Sequence, residues 1–123
     1  MSSRASRILE NQELKRIIKE IVLRRLDGKP INSQETLRSI IRIFRRYGVK
    51  RMKVAMIPEA FNILVYLSFD DGSIETLALD DDSEYVRQLV EFIYDVLLSM
   101  DPSRGAEVFR TRIEGVDVAV YPP

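Results

Sequence analysis

The sequence predicts an α+β fold in the order ααβββαββ, with helices packed mainly on one face of an antiparallel sheet. Three observations lead there. Apolar residues recur at helical spacing over 6–27, 33–47 and 83–100. They alternate or run as strands over 50–57, 61–69, 73–79, 106–113 and 116–121. The dipeptides Asp71-Gly72 and Glu114-Gly115 mark chain reversals between strands. With 123 residues the chain is expected to form one domain over 1–123, with residues 1–6 as a flexible tail.

The first helix, over 6–27, carries Leu14, Ile17, Ile18, Ile21, Val22 and Leu26 on a wide apolar face. Asp27-Gly28-Lys29-Pro30 stops it. So wide a face needs covering by the sheet, the second helix or a partner subunit. The second helix, from Ser33 to Tyr47, is capped by Asn32 or Ser33 and has Leu37, Ile40, Ile41 and Phe44 as its core stripe. Gly48 ends it.

Lys50–Ile57 alternates, with Arg51 and Lys53 on one side and Met52, Val54 and Met56 on the other. The strand Phe61–Phe69 is apolar on both faces and is expected in the sheet interior. The Asp71-Gly72 turn is read as pairing Phe69 with Ile74, Leu67 with Thr76 and Val65 with Ala78, and Tyr66 with Leu77 on the other face. Asp80-Asp81-Asp82-Ser83 precedes the third helix, whose stripe runs from Val86 to Met100. In the last hairpin Phe109, Thr111 and Ile113 face Val116, Val118 and Val120, leaving Arg110, Arg112, Asp117 and Tyr121 on the opposite side.

The chain has no Cys and no His, which removes thiolate and imidazole chemistry and the usual zinc and haem ligands. No window reaches the length of a membrane span, and the polar N-terminus is read as a tail and not a signal peptide, so the expected location is the cytoplasm. Fourteen of the nineteen basic residues are Arg, and labile side chains are few, a composition that fits a thermophile.

The net charge of zero hides an asymmetry. Residues 1–53 hold fifteen Lys/Arg against five Asp/Glu, and residues 54–123 hold four against fourteen. The sign changes at Arg42–Lys53, a stretch with six basic residues, no acid and two aromatics. Arg38, Arg42, Arg45 and Arg46 share one side of the second helix and lead into Lys50, Arg51 and Lys53, so helix and strand are expected to present one electropositive surface. Tyr47 lies within it, and Tyr66 and Tyr121 fall on the sheet side that carries Arg51, Lys53, Arg110 and Arg112. Cations at phosphate spacing with interleaved aromatics suit single-stranded nucleic acid. The competing reading is plain ion pairing with the acidic half.

Other chemistries are less well supplied. A helix-turn-helix reading of 14–47 meets a long, proline-bearing connection and a second helix without a base-reading polar face. Asp80–Asp82 suits a helix N-terminus better than a cation loop. A nuclease pattern built on Asp71 and Glu75 fails because Leu77 stands where Lys is needed, and there is no phosphate loop or nucleophile elbow. No catalytic residue, cofactor or metal is therefore expected.

The layout resembles the ThermoDBP-type single-stranded DNA-binding proteins of hyperthermophilic archaea. The likeness lies in the N-terminal helices, the basic second helix, the antiparallel sheet, the further helix and the thermophile composition, and it spans most of the chain. It implies single-stranded nucleic acid held in a basic cleft with exposed apolar and aromatic side chains. The positions here that fill those roles are Arg42, Arg45, Arg46, Arg51, Lys53, Tyr47, Phe61 and Tyr66. No heptad extension follows Pro122-Pro123, so the dimerising zipper of longer members has no counterpart.

The sequence-level expectation is a non-catalytic protein that binds single-stranded DNA or RNA through Arg38, Arg42, Arg45, Arg46, Tyr47, Lys50, Arg51, Lys53, Phe61, Tyr66, Arg110 and Arg112. The alternative is an assembly module, a homo-oligomer formed through the first helix and the opposed charged halves.

Overall fold

Asn11 breaks the first expected helix in two. Its side-chain oxygen accepts the Leu14 N–H at 3.0 Å, which starts a new helix and ends the old one. The result is α1 (Arg4–Leu9) followed by α2 (Gln12–Leu26). The computed structural model describes residues 3–123. Residues 3–6 do not form the tail expected over 1–6. Ser3 caps α1 by accepting the Ser6 N–H, and α1 buries Ala5 and Ile8 in the core; residues 1 and 2 lie outside the described residues.

Helix α3 (Ser33–Arg46) begins at Asn32, which accepts the Glu35 N–H, and it buries Leu37, Ile40, Ile41, Ile43 and Phe44. Strand β1 (Val49–Ile57) follows, then a 3-10 turn at Pro58–Ala60, β2 (Asn62–Phe69) and β3 (Ile74–Ala78). Helix α4 (Glu84–Met100) is capped by the Ser83 hydroxyl. The chain closes with β4 (Phe109–Ile113) and β5 (Val116–Tyr121). Helices α1, α3 and α4 pack on one face of a single five-stranded sheet in the order β3-β2-β1-β5-β4, and α2 packs mainly on those three helices. The core lies between the layers, where Met52, Val54, Val65, Leu67, Val118 and Val120 meet Ile40, Phe44, Leu89 and Ile93.

The sheet is mixed and not antiparallel throughout. Strand β5 pairs parallel to β1, with Arg51 opposite Asp117 and Val54 opposite Val120. The seventeen residues of α4 span about 25 Å, which carries the chain from the β3 edge to the far side of the sheet. The β4–β5 hairpin returns there with its more apolar strand inward. Val116, Val118, Ala119 and Val120 put β5 in the interior, while Arg110 and Arg112 leave β4 at the edge.

The β2–β3 register is one residue away from the expected one. Tyr66 pairs with Thr76 and Val65 with Leu77. The cause is a three-residue loop, Asp70-Asp71-Gly72, closed by the Phe69 N–H on the Ser73 carbonyl at 2.9 Å. Gly72 takes the left-handed conformation (φ +85°), and Asp71 Oδ1 accepts the Ser73 N–H at 2.9 Å. A one-residue shift reverses every side chain of the strand. Leu77 therefore reaches the core, and Ile74, Thr76 and Ala78 turn outward. Glu75 turns inward with Leu77 and accepts the Arg4 and Ala5 N–H groups at the start of α1.

Part of the charge asymmetry is neutralised inside the fold. Arg4 pairs with Asp70 at 2.6 Å, Arg25 approaches Glu91 at 3.9 Å, and Arg42 pairs with Glu114. No described helix is long and apolar enough to cross a membrane.

Candidate functional site

A β-bulge decides which way the basic stretch faces. Val49 opposes Phe69 and Arg51 opposes Ser68, so Lys50 is the extra residue of β1. Val49 stays in the core while Lys50 and Arg51 are both exposed. From Arg51 onward the strand alternates regularly. Met52 and Val54 point into the core, and Arg51 and Lys53 point to the opposite side, which no helix covers.

The strand pairing arranges that open face in rows across the sheet. One row runs Thr76, Tyr66, Lys53, Ala119, Arg110. The next, toward the β2–β3 and β4–β5 turns, runs Ile74, Ser68, Arg51, Asp117, Arg112. On the other side lie Ala78, Leu64, Ala55 and Tyr121. Cations thus occupy two adjacent rows, and an apolar, aromatic row borders them.

The side chains in these rows touch. Lys53 Nζ lies 4.5 Å from the centre of the Tyr121 ring and 5.5 Å from that of Tyr66. Arg110 Cζ is 5.8 Å from the Tyr121 ring centre, and its Nη2 donates to the Tyr121 hydroxyl at 3.4 Å. Arg112 pairs with Asp117 at 2.7 Å. Asp117 is the one carboxylate that the described strands place on this face, against Arg51, Lys53, Arg110 and Arg112. A shallow depression of about 540 Å³ opens between Arg51, Lys53, Ser68, Arg110, Asp117 and Tyr121.

The α3 arginines do not join this face, so the expected continuous surface of helix and strand is divided. Arg38 donates to Glu35 at 2.9 Å and holds that carboxyl below its usual range. Arg42 donates through Nε and Nη2 to Glu114 Oε1. Arg45 Nη1 donates to the Glu114 carbonyl at 3.2 Å. A Cβ at Gly115 would lie 3.1 Å from the Arg45 guanidinium, a close approach that glycine permits. Arg46 pairs with Glu13 at 3.1 Å. These four side chains serve the α3 surface and its contacts with α2 and the β4–β5 turn. Tyr47 is half-buried, and its hydroxyl accepts from Asn11 Nδ2 at 3.1 Å, which ties the end of α3 to the α1–α2 junction.

Phe61 stands apart from the aromatics of the face. It is 90% exposed in a left-handed conformation (φ 49°) after the 3-10 turn, five residues before Tyr66. Of the twelve sequence-derived positions, Arg51, Lys53, Tyr66, Arg110 and Arg112 converge on the open face, with Lys50 at its margin. Tyr121, Ser68 and Asp117 belong to that face as well. Tyr121 and Asp117 were already placed on that side by the period-two pattern of the last hairpin, and the same pattern in β2 carries Ser68.

The larger concavity, about 640 Å³, lies between α2 and α3 over Ile17, Ile21 and Ile31. Its rim mixes Glu13, Glu20 and Glu35 with Arg16 and Arg24, so it offers no field of one sign. The acidic run ahead of α4 acts locally. Asp81 Oδ1 accepts the Ser83 N–H at 2.8 Å and the Asp81 carbonyl accepts from Arg87. Among the described residues no group of three or more His, Cys, Asp or Glu side chains is disposed to hold a metal ion. Comparison with protein-family models, with curated proteins and with solved structures finds no match to this chain.

Proposed function

We propose that this chain is a non-catalytic protein that binds single-stranded nucleic acid on the open face of its sheet. One observation carries the reading: Lys53 stands between the rings of Tyr66 and Tyr121 on an uncovered surface flanked by Arg51 and Arg110. Cations neutralise phosphates, and an exposed ring offers a base a face on which to stack. A duplex hides those base faces in its stack, so stacking on the rings favours the single strand. The resemblance to the ThermoDBP-type proteins implies the same class of activity, and the cytoplasm is the compartment we assign. Fluorescence anisotropy with a labelled 20-nucleotide strand and its duplex tests the reading. The strand binds more tightly than the duplex, and its affinity falls as salt rises; equal affinity for both forms defeats the reading.

A second reading, a homo-oligomer formed through α2, has a narrower basis. Leu14, Ile18 and Ile21 are buried within the chain, but Leu23 and Leu26 are exposed at the end of the helix. Sedimentation of wild type against Leu23→Ser/Leu26→Ser separates the two: a monomer in both cases removes the oligomer.

A further inference from the structure

The cations of the open face lie across the strands and not along them. Along β1 a ligand would meet Arg51 and Lys53 and then pass onto Ala55 and Ile57, which carry no charge. Across the sheet four cations stand against one carboxylate. Ser68, Arg51, Asp117 and Arg112 form one row, in which Asp117 is paired with Arg112, and Lys53, Ala119 and Arg110 form the row beside it, about 7 Å away. The aromatic side chains lie toward the opposite margin, with Tyr66 in the second row and Tyr121 in the third. The face is therefore graded from basic to aromatic, as a strand with phosphates on one side and bases on the other requires.

Its extent is bounded. From β2 to β4 are three strand spacings, about 14 Å. A stacked strand advances about 3.4 Å per nucleotide, and one splayed onto separate rings up to roughly twice that. The α3 arginines, held by Glu35, Glu114 and Glu13, do not extend the track.

We infer that each chain binds a segment of two to four nucleotides, its sugar–phosphate path crossing the strands along Arg51 and Arg112 and its bases directed to Tyr66 and Tyr121. This inference rests on the function proposed above. It gives the protein a short footprint, so that a long strand is covered by several chains.

The test is a competition series. Unlabelled oligothymidylates of two to twelve nucleotides displace a labelled 20-nucleotide strand, and the affinities are corrected for overlapping sites. The corrected affinity levels off by five nucleotides. The salt slope stays shallower than about −3, since four face cations at about 0.7 each set its limit. A later plateau, or a slope steeper than about −4, overturns the short footprint while leaving single-strand binding intact. Failure of the 20-nucleotide strand itself to bind at low salt overturns the proposed function and the footprint together. The triple variant Arg42→Ala/Arg45→Ala/Arg46→Ala keeps the wild-type plateau and slope; a slope lowered by two or more overturns the footprint.

Discussion

The ammonium of Lys53 rests 4.5 Å from the centre of the Tyr121 ring, although the two residues are 68 positions apart in the sequence. The contact exists because β5 docks parallel to β1 and places Tyr121 beside Ala55, one row from Lys53. An ammonium over a partly exposed ring sets a cation beside an aromatic face. This pairing lies within the surface proposed to bind the strand.

Removing the rings weakens binding without unfolding the chain. Tyr66→Ala and Tyr121→Ala each cost about 1–3 kcal/mol of single-strand affinity, the range for one lost base–ring stack. Both residues are only partly buried, and no helix packs on them. Anisotropy titration reads the loss, and circular dichroism melting shows the fold retained.

The α3 arginines behave differently. Arg42→Ala removes a partly exposed ion pair with Glu114, which costs up to about 1 kcal/mol and a few degrees of melting temperature. Affinity for the strand stays within about twofold. Loss of affinity at constant stability would place Arg42 in the interface.

Asp117 is expected to oppose the proposed ligand. It is the carboxylate on the face and it holds Arg112. Asp117→Asn frees that guanidinium and removes a repulsion against phosphate, which tightens binding about two- to tenfold at low salt. The gain shrinks as salt screens it. Weaker binding by the variant would mean that the carboxylate contacts the ligand directly.

Tyr85 sets an alkaline limit on stability. Its buried hydroxyl has no hydrogen-bond partner, and burial pushes its pKa up to about 12. The unfolded phenol ionises near ~10. Below that pH both states are neutral and the contribution is complete. As pH rises from there toward 12 the unfolded chain loses its proton first, so stability falls. Tyr85→Phe removes this part of the loss and leaves neutral-pH stability equal or slightly higher, because an unsatisfied hydroxyl goes with it. Chemical denaturation at pH 7 and pH 11 measures both effects.

Much of the layout was legible from local chemistry. The Glu114-Gly115 reversal and the inward Phe109, Thr111 and Ile113 follow from patterns within a few residues. The break at Asn11 was not foreseen, because the capping residue lies inside a run read as one helix over 6–27. The parallel β1–β5 pairing depends on which strand of the last hairpin enters the sheet, a choice made by packing after α4 has crossed. The β2–β3 shift depends on whether Asp71-Gly72 closes two residues or three, and Asp71 settles it through its bonds to Ser73. The basic stripe was visible as charge, but not its division. Helix α3 sits on the covered side while Arg51 and Lys53 point to the open one, and the carboxylates that engage Arg42 and Arg46 come from distant parts of the chain.

The most direct test is to map the contact by two-dimensional amide and side-chain NMR during titration with a four-nucleotide strand. The account predicts that the largest shifts fall on Arg51, Lys53, Tyr66, Arg110 and Tyr121, while α2 and α3 stay in place. Shifts centred on Arg38, Arg42 and Arg46, or none at saturating strand, would contradict it.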